Sequence, residues 1–263
     1  MTSSPPPFRF TRAIVRQPAK SVTEGLRAHG GEGPSFEGVR REHAAYIAAL
    51  RDAGVDVTVL PALEGFPDSI FVEDPALVFS EGAIVLKPGA PTRAGEAAAI
   101  APALRAAFDT VLELSEGTVE GGDVLTAVDK VMIGLSARTS RAGAEALIRL
   151  LSELGRKGEI VETPKGILHF KSDCSLLAEE TVLSTARLAA SGVFEGYEIL
   201  LTPEGEEGAA NALRVNDVVF ASASFPCTLE LLDRSGFTVI PMQTREIALI
   251  DAGLSCMSLR WFA

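Results

Sequence analysis

The chain has 263 residues, 47% of them hydrophobic, and a formal net charge of -11 at pH 7. That length and apolar content can bury a substantial core, whereas the acidic balance excludes a phosphate-tracking nucleic-acid binder and disfavours docking on an anionic membrane. Three widely spaced cysteines offer no Cys-x-x-Cys metal pair, no apolar run approaches the ~20 residues of a membrane span, and the proline-rich start is no secretory signal, so a soluble cytoplasmic protein is expected.

In chain order, residues 41–53 carry helical spacing, with Ala45, Ile47, Ala48 and Leu50 on one face, and Gly54 stops them before a strand at 55–60. Two short apolar strands at 76–79 and 83–86 precede a helix at 95–108 and a strand at 110–114. The same order returns as strands at 124–126 and 131–134, a helix at 142–154 and a strand at 159–162. Around 172–201 the signal is irregular and the helix weakest, and a last helix at 227–235 leads through Gly236 into a strand at 237–241. The repeated order strand, strand, helix, strand predicts an array of about five units rather than a doubly wound sheet. Together they form one domain over residues 1–263.

Chemistry-bearing residues fall between these units. Pro67 to Pro75 sets Asp68, Glu73 and Asp74 around an apolar strand, with Asp68 and Asp74 sharing a face and Glu73 opposite. Clustered carboxylates facing inward need a cation, supplied either by a guanidinium or ammonium ligand or by a salt bridge to Arg93 or Lys87. Arg93 and Arg138 each follow a strand and a small-residue turn, where a planar fork could clamp a carboxylate. Glu120 precedes Gly121-Gly122, whose missing side chains allow close approach of backbone to a ligand or strand.

His169 alternates with Leu168 and Phe170 in a strand-like run, while His29, in a Gly-rich loop, and His43, in the first helix, are expected to face solvent. Cys256 follows the turn Asp251-Ala252-Gly253-Leu254-Ser255, whose backbone amides can stabilise charge on sulfur. Cys174 and Cys227 lack that setting and are read as structural. A thiol, an imidazole and a carboxylate are the parts of nucleophilic catalysis: a thiolate attacks, a His moves protons and a carboxylate orients the His.

Together the segments Val15 to Ser21, Phe66 to Pro75, Gly117 to Asp123, Ser136 to Thr139, Leu168 to Lys171 and Leu254 to Arg260 resemble the bacterial dimethylarginine dimethylaminohydrolases of the guanidino-group-modifying, or pentein, superfamily. The resemblance implies a five-bladed α/β propeller of ββαβ repeats with substrate in its central channel. It implies hydrolysis of methylated arginine to L-citrulline and the methylamine through a covalent thiouronium on Cys256, without metal or organic cofactor. His169 then resembles the general acid/base and Glu120 the carboxylate holding it. Asp74 resembles the grip on the guanidinium, Asp68 that on the α-ammonium, and Arg93 and Arg138 the carboxylate clamp. Glu73 is implied to line the pocket, Leu26 to close over it, and the Ile250 carbonyl to face the leaving group. The implied partner is a small methylated arginine, with no nucleic acid or membrane, and a homodimer is left open. The sibling reaction, an arginine or agmatine deiminase, and a non-catalytic arginine-binding propeller are the rival readings.

Overall fold

Each repeat folds into a small three-stranded sheet with one crossover helix. The computed structural model describes residues 5–27 and 32–263. In chain order it runs through β1 (Arg12–Arg16), α1 (Phe36–Asp52) and β2 (Asp56–Leu60), then β3 (Ala76–Phe79), β4 (Gly82–Val85), α2 (Glu96–Ala107) and β5 (Val111–Glu113). Next come β6 (Val124–Thr126), β7 (Val131–Leu135), α3 (Arg141–Glu153) and β8 (Gly158–Glu162), followed by β9 (Cys174–Ala178), β10 (Thr181–Ser184), α4 (Ala186–Ala189) and β11 (Glu198–Leu201). The last are β12 (Leu213–Val215), β13 (Val218–Ser222), α5 (Pro226–Arg234), β14 (Thr238–Met242), α6 (Arg245–Ala248) and β15 (Leu259–Trp261).

In four sheets an antiparallel hairpin is followed by a parallel crossover, as where Ile84 of β4 faces Leu77 of β3 on one side and Leu112 of β5 on the other. The fifth is completed by chain-distant strands: β15 pairs antiparallel with β1, Ile14 opposite Leu259, and β1 pairs in parallel with β2. The five sheets are therefore blades of one closed ring.

No blade has a core of its own. Ile84 and Leu77 of the β3–β5 blade pack with Ile133, Leu147 and Leu151 of the next. Trp261, Leu259 and Ile14 pack with Ala76, Val85 and Leu104. The remaining three apolar clusters likewise join neighbouring blades, the last returning from Val215 and Phe220 to Val15 and Tyr46. Stacking neighbours is what buries each repeat's hydrophobic face. Among the described residues no helix is long and apolar enough to cross a membrane.

Helix starts follow capping chemistry. Ser35 accepts from the Gly38 N–H at 3.1 Å, so α1 begins at Phe36, earlier than the apolar spacing alone suggested. Ser140 does the same for α3 through Gly143. The weak fourth helix signal matches α4, only four residues long.

Three expectations are corrected. Residues 66–75 form a run of turns instead of a strand, with Ser69 N–H donating to the Phe66 carbonyl and Phe71 N–H to that of Asp68; prolines at both ends lack the donors a ladder needs. His169 has extended backbone but pairs in no sheet, lying just ahead of a 3-10 turn at Phe170–Ser172. His43 does not face solvent: it shares the buried stripe of Val39, Tyr46, Ile47 and Leu50 on α1. His29 lies outside the described residues.

Burial pushes the His43 pKa down to about 4. An unfolded His takes its proton near 6.5, so unfolding takes up a proton between those values, and stability, complete above pH 6.5, falls as pH drops toward 4. The loss is on the order of 3 kcal/mol at about 1.4 kcal/mol per pKa unit. His43→Phe is expected to flatten the pH dependence of the urea unfolding free energy across this window. Equal slopes for the two proteins would refute the assignment, since Glu96, raised to about 7 by burial, titrates in both.

Candidate active site

A cavity of about 140 Å³ is lined among others by Asp68, Asp74, Glu120, His169 and Cys256. These side chains come from turns between blades rather than from one element, so the ring itself sets their separation.

Glu120 is 1% exposed. Its Oε1 accepts from the Ala90 N–H at 2.9 Å, and its Oε2 lies 2.7 Å from His169 Nε2. The glycines after it permit this approach: a Cβ on Gly122 would stand 2.6 Å from His169 Nδ1, and one on Gly121 would stand 2.0 Å from the Glu73 carbonyl oxygen. Asp123 fixes the histidine loop from behind, its Oδ1 accepting from the Phe170 N–H at 2.9 Å and its Oδ2 from Ser136 Oγ at 2.6 Å.

Burial alone would lower the His169 pKa, but Asp74, the bond to Glu120 and the charge of Asp123 outweigh it and raise the value to about 9. The ring is therefore an imidazolium at neutral pH. Asp74 has the converse balance: burial opposes its charge, and Arg93 and His169 overcome that and hold its pKa below the usual range. Asp74, Glu120 and His169 offer atoms within 4.8 Å of one another, a spacing that admits a cation; a metal ion there would have to displace the His169 proton.

Cys256 occupies a 3-10 turn at Ser255–Met257. Its thiol is pushed up to about 12 by burial and then by the charges of Glu73 and Asp74, with the Gly253 N–H pulling the other way. Asn211 adds a second donor, its Nδ2 3.9 Å from Sγ while its Oδ1 accepts from the Ser255 N–H at 3.0 Å. Gly253 has to be glycine for this, because a Cβ there would lie 2.2 Å from Asn211 Cγ.

Of the expected binding residues, Leu26, Asp68, Asp74, Arg93, Arg138 and Ile250 all line the same cavity. The Leu26 N–H donates to Asp68 Oδ1 at 2.9 Å, and burial raises the Asp68 pKa. Arg138 keeps 23% of its side chain exposed, its Nη1 3.5 Å from Glu120 Oε1.

Two of the expected binding residues are engaged by partners within the protein. Arg93 does not present a free fork: Nη1 pairs with Asp74, Nη2 donates to Glu96 at 2.6 Å and to the carbonyls of Asp68 and Phe71, and Nε donates to Glu96. The salt-bridge alternative is thus found for Asp74, whereas Asp68 accepts from the Leu26 N–H and Glu73 pairs with Lys171 rather than with Arg93 or Lys87. Glu73 is absent from the cavity wall; consecutive residues in the turn point to opposite sides, and its carboxylate meets Lys171 Nζ at 2.5 Å and Ser255 Oγ at 3.0 Å. Cys174 likewise faces away, its Sγ donating to the Phe170 carbonyl at 3.3 Å.

Asn211, Asp123 and Glu96 were not singled out as site residues from the sequence. Asp123 stands in the Glu-Gly-Gly-Asp run, where its spacing from Glu120 was a usable signal, but Asn211 lies in a loop with no local pattern.

A five-bladed ring of ββαβ units with a cysteine, a histidine and paired carboxylates converging on one cavity is the architecture of the pentein class. The arginine deiminase family model matches residues 62–165. The chain is 39% identical to N(G),N(G)-dimethylarginine dimethylaminohydrolase of Pseudomonas aeruginosa, over 96% of this chain and 100% of that protein. It superposes on a crystal structure of that Pseudomonas aeruginosa enzyme, a cysteine-to-serine mutant complexed with citrulline, with a TM-score of 0.93, 38% identity and coverage of 96% and 100%. A histidine-to-glycine dimethylarginine dimethylaminohydrolase in an adduct with S-methyl-L-thiocitrulline gives a TM-score of 0.92, 38% identity and coverage of 95% and 99%. The chain belongs to the dimethylarginine dimethylaminohydrolase family.

Proposed function

We propose that this protein hydrolyses Nω-methylated L-arginines to L-citrulline and the methylamine through a covalent thiouronium on Cys256. The observation that carries the reading is a buried thiol sharing one cavity with a carboxylate-held imidazolium and two further carboxylates. Asp74 and Glu120 receive the guanidinium, Asp68 the α-ammonium and Arg138, the more exposed arginine, the α-carboxylate.

A thiol with a pKa near 12 is neutral in the resting enzyme. A bound guanidinium supplies positive charge against Glu73 and Asp74, so the thiol proton leaves to solvent as substrate settles. The thiolate then attacks the guanidinium carbon, and the C–N bond breaks as the His169 imidazolium protonates the departing amine. Neutral His169 next takes a proton from water, which adds to the thiouronium carbon; collapse releases citrulline and returns the sulfur as thiolate.

Citrulline release from asymmetric dimethylarginine, beside monomethylarginine, arginine and agmatine, tests the reading. Preference for unmethylated arginine would favour the deiminase alternative, which the arginine deiminase match over residues 62–165 supports. With Arg138→Ala, KM for methylarginine is expected to rise with little change in kcat, because a carboxylate clamp acts alike in ground and transition states. Agmatine lacks that carboxylate; if its KM rises equally, Arg138 is no clamp.

His169→Gly is expected to separate the half-reactions. With S-methyl-L-thiocitrulline, whose thiol leaving group departs without a proton from His169, capture needs only the thiolate, whereas hydrolysis needs a positioned base whose loss costs about 10²–10⁴-fold. Acid quench and intact-mass measurement should show an increment on the Cys256 peptide, and undiminished turnover would remove His169 from the chemistry. A cytoplasmic location is part of the proposal, supported by three free cysteines.

A further inference from the structure

A second cavity, of about 200 Å³, backs onto the first. Neighbouring residues of the partition face opposite ways: Asp74 and Cys256 line the front, Glu73 and Ser255 the rear. The rear walls include Arg9, Arg156, Lys171, Arg214 and Arg260, against the single carboxylate of Glu73 among the described residues. In a chain with 35 acidic and 24 basic residues this is an inversion of the overall balance.

Two of these cations are compensated from outside the cavity, Arg9 by Asp217 and Arg156 by Glu81, each at 2.8 Å. Two of the other three have Glu73 as their ion-pair partner, and Arg214 feels the charge of Asp217. Lys171 and Arg260 share Glu73, at 2.5 and 3.4 Å, while Arg214 donates to the carbonyls of Asn216 and Leu177. Two buried polar atoms of this wall, Arg260 Nε and Ser175 Oγ, have no partner. Ser175 is 7% exposed and the Arg260 side chain 10%. Lys171 and Arg260, nearly buried and sharing one carboxylate beside unmatched donors and the half-buried Arg214, are costly to hold unless an anion completes them.

We propose that the rear cavity is a binding site for a small oxyanion, a carboxylate or phosphate group held by Lys171, Arg260 and Arg214, with Ser175 as a hydroxyl donor. Guanidinium forks and an ammonium suit oxyanions through charge-assisted hydrogen bonds. The volume holds several waters at roughly 30 Å³ each, enough for such a group and its remaining hydration. The site is separate from the proposed hydrolysis and does not depend on it.

Trp261, the chain's only tryptophan, lines this cavity and reports on it. Inorganic phosphate and succinate are titrated separately at ionic strength fixed with sodium chloride, reading Trp261 emission. A saturable change with either anion, retained in Arg138→Ala, which removes the exposed arginine of the front cavity, is expected; phosphate alone assigns a phosphoryl source and succinate alone a carboxylate source. Arg214→Gln is expected to weaken the apparent Kd about tenfold, the usual scale for one charge-assisted hydrogen bond. Ser175→Ala, which alters no charge and little volume, is expected to weaken it severalfold. No saturable response to either anion, a response that Arg138→Ala abolishes, or a Kd unchanged in both rear-cavity variants would overturn the proposal.

Discussion

Cys256→Ser is expected to leave the fold intact and abolish turnover. A serine hydroxyl is far less acidic than a thiol, and the His169 ring beside it is already protonated at neutral pH, so the site holds no base to ionise an alcohol. Substrate binding can draw the proton from a thiol at about 12 but not from a hydroxyl. Residual turnover above about a hundredth of wild type, with the melting temperature unchanged, would end the nucleophile assignment, because losing a covalent route usually costs far more.

Arg93→Ala is expected to strike the fold before it strikes binding. Its side chain is 5% exposed and joins Asp74, Glu96 and two turn carbonyls. Removing it strands two buried carboxylates, a change that typically costs about 3–5 kcal/mol. The cost should be smaller at pH 5 than at pH 8, since both acids, deprived of the guanidinium, can take up protons in their buried setting. Urea unfolding at the two pH values measures this. Unchanged stability with a raised KM would instead return Arg93 to the role of a free carboxylate clamp.

Much of the fold was legible because the hydrophobic rhythm is local. The helix at 142–154 and the strands at 124–126 and 131–134 recur as α3, β6 and β7 within a residue or so. What escaped was set by tertiary contact. The turns at 66–75 read as a strand because alternation survives in a turn whose residues face two cavities in succession. Arg93 read as a ligand clamp because it follows a strand and a small-residue turn; only folding shows that Glu96, in the first turn of α2, faces the same guanidinium. His43 was misjudged for a different reason, polarity having been weighed above its i, i+4 relation to Val39 and Ile47.

The pairing of β15 with β1 gives the ring a latch, and Cys256 is mounted on it. Ile14 meets Leu259 across nearly the whole chain, while His169 and Glu120 are held by the middle blades. Fraying of β15 would carry the sulfur away from its partners while four blades remain paired, a sub-global opening that costs less than complete unfolding. Thermal inactivation would then run ahead of melting. On refolding, activity would return after most of the helical signal, because the contact that delivers the thiol closes the longest loop in the molecule.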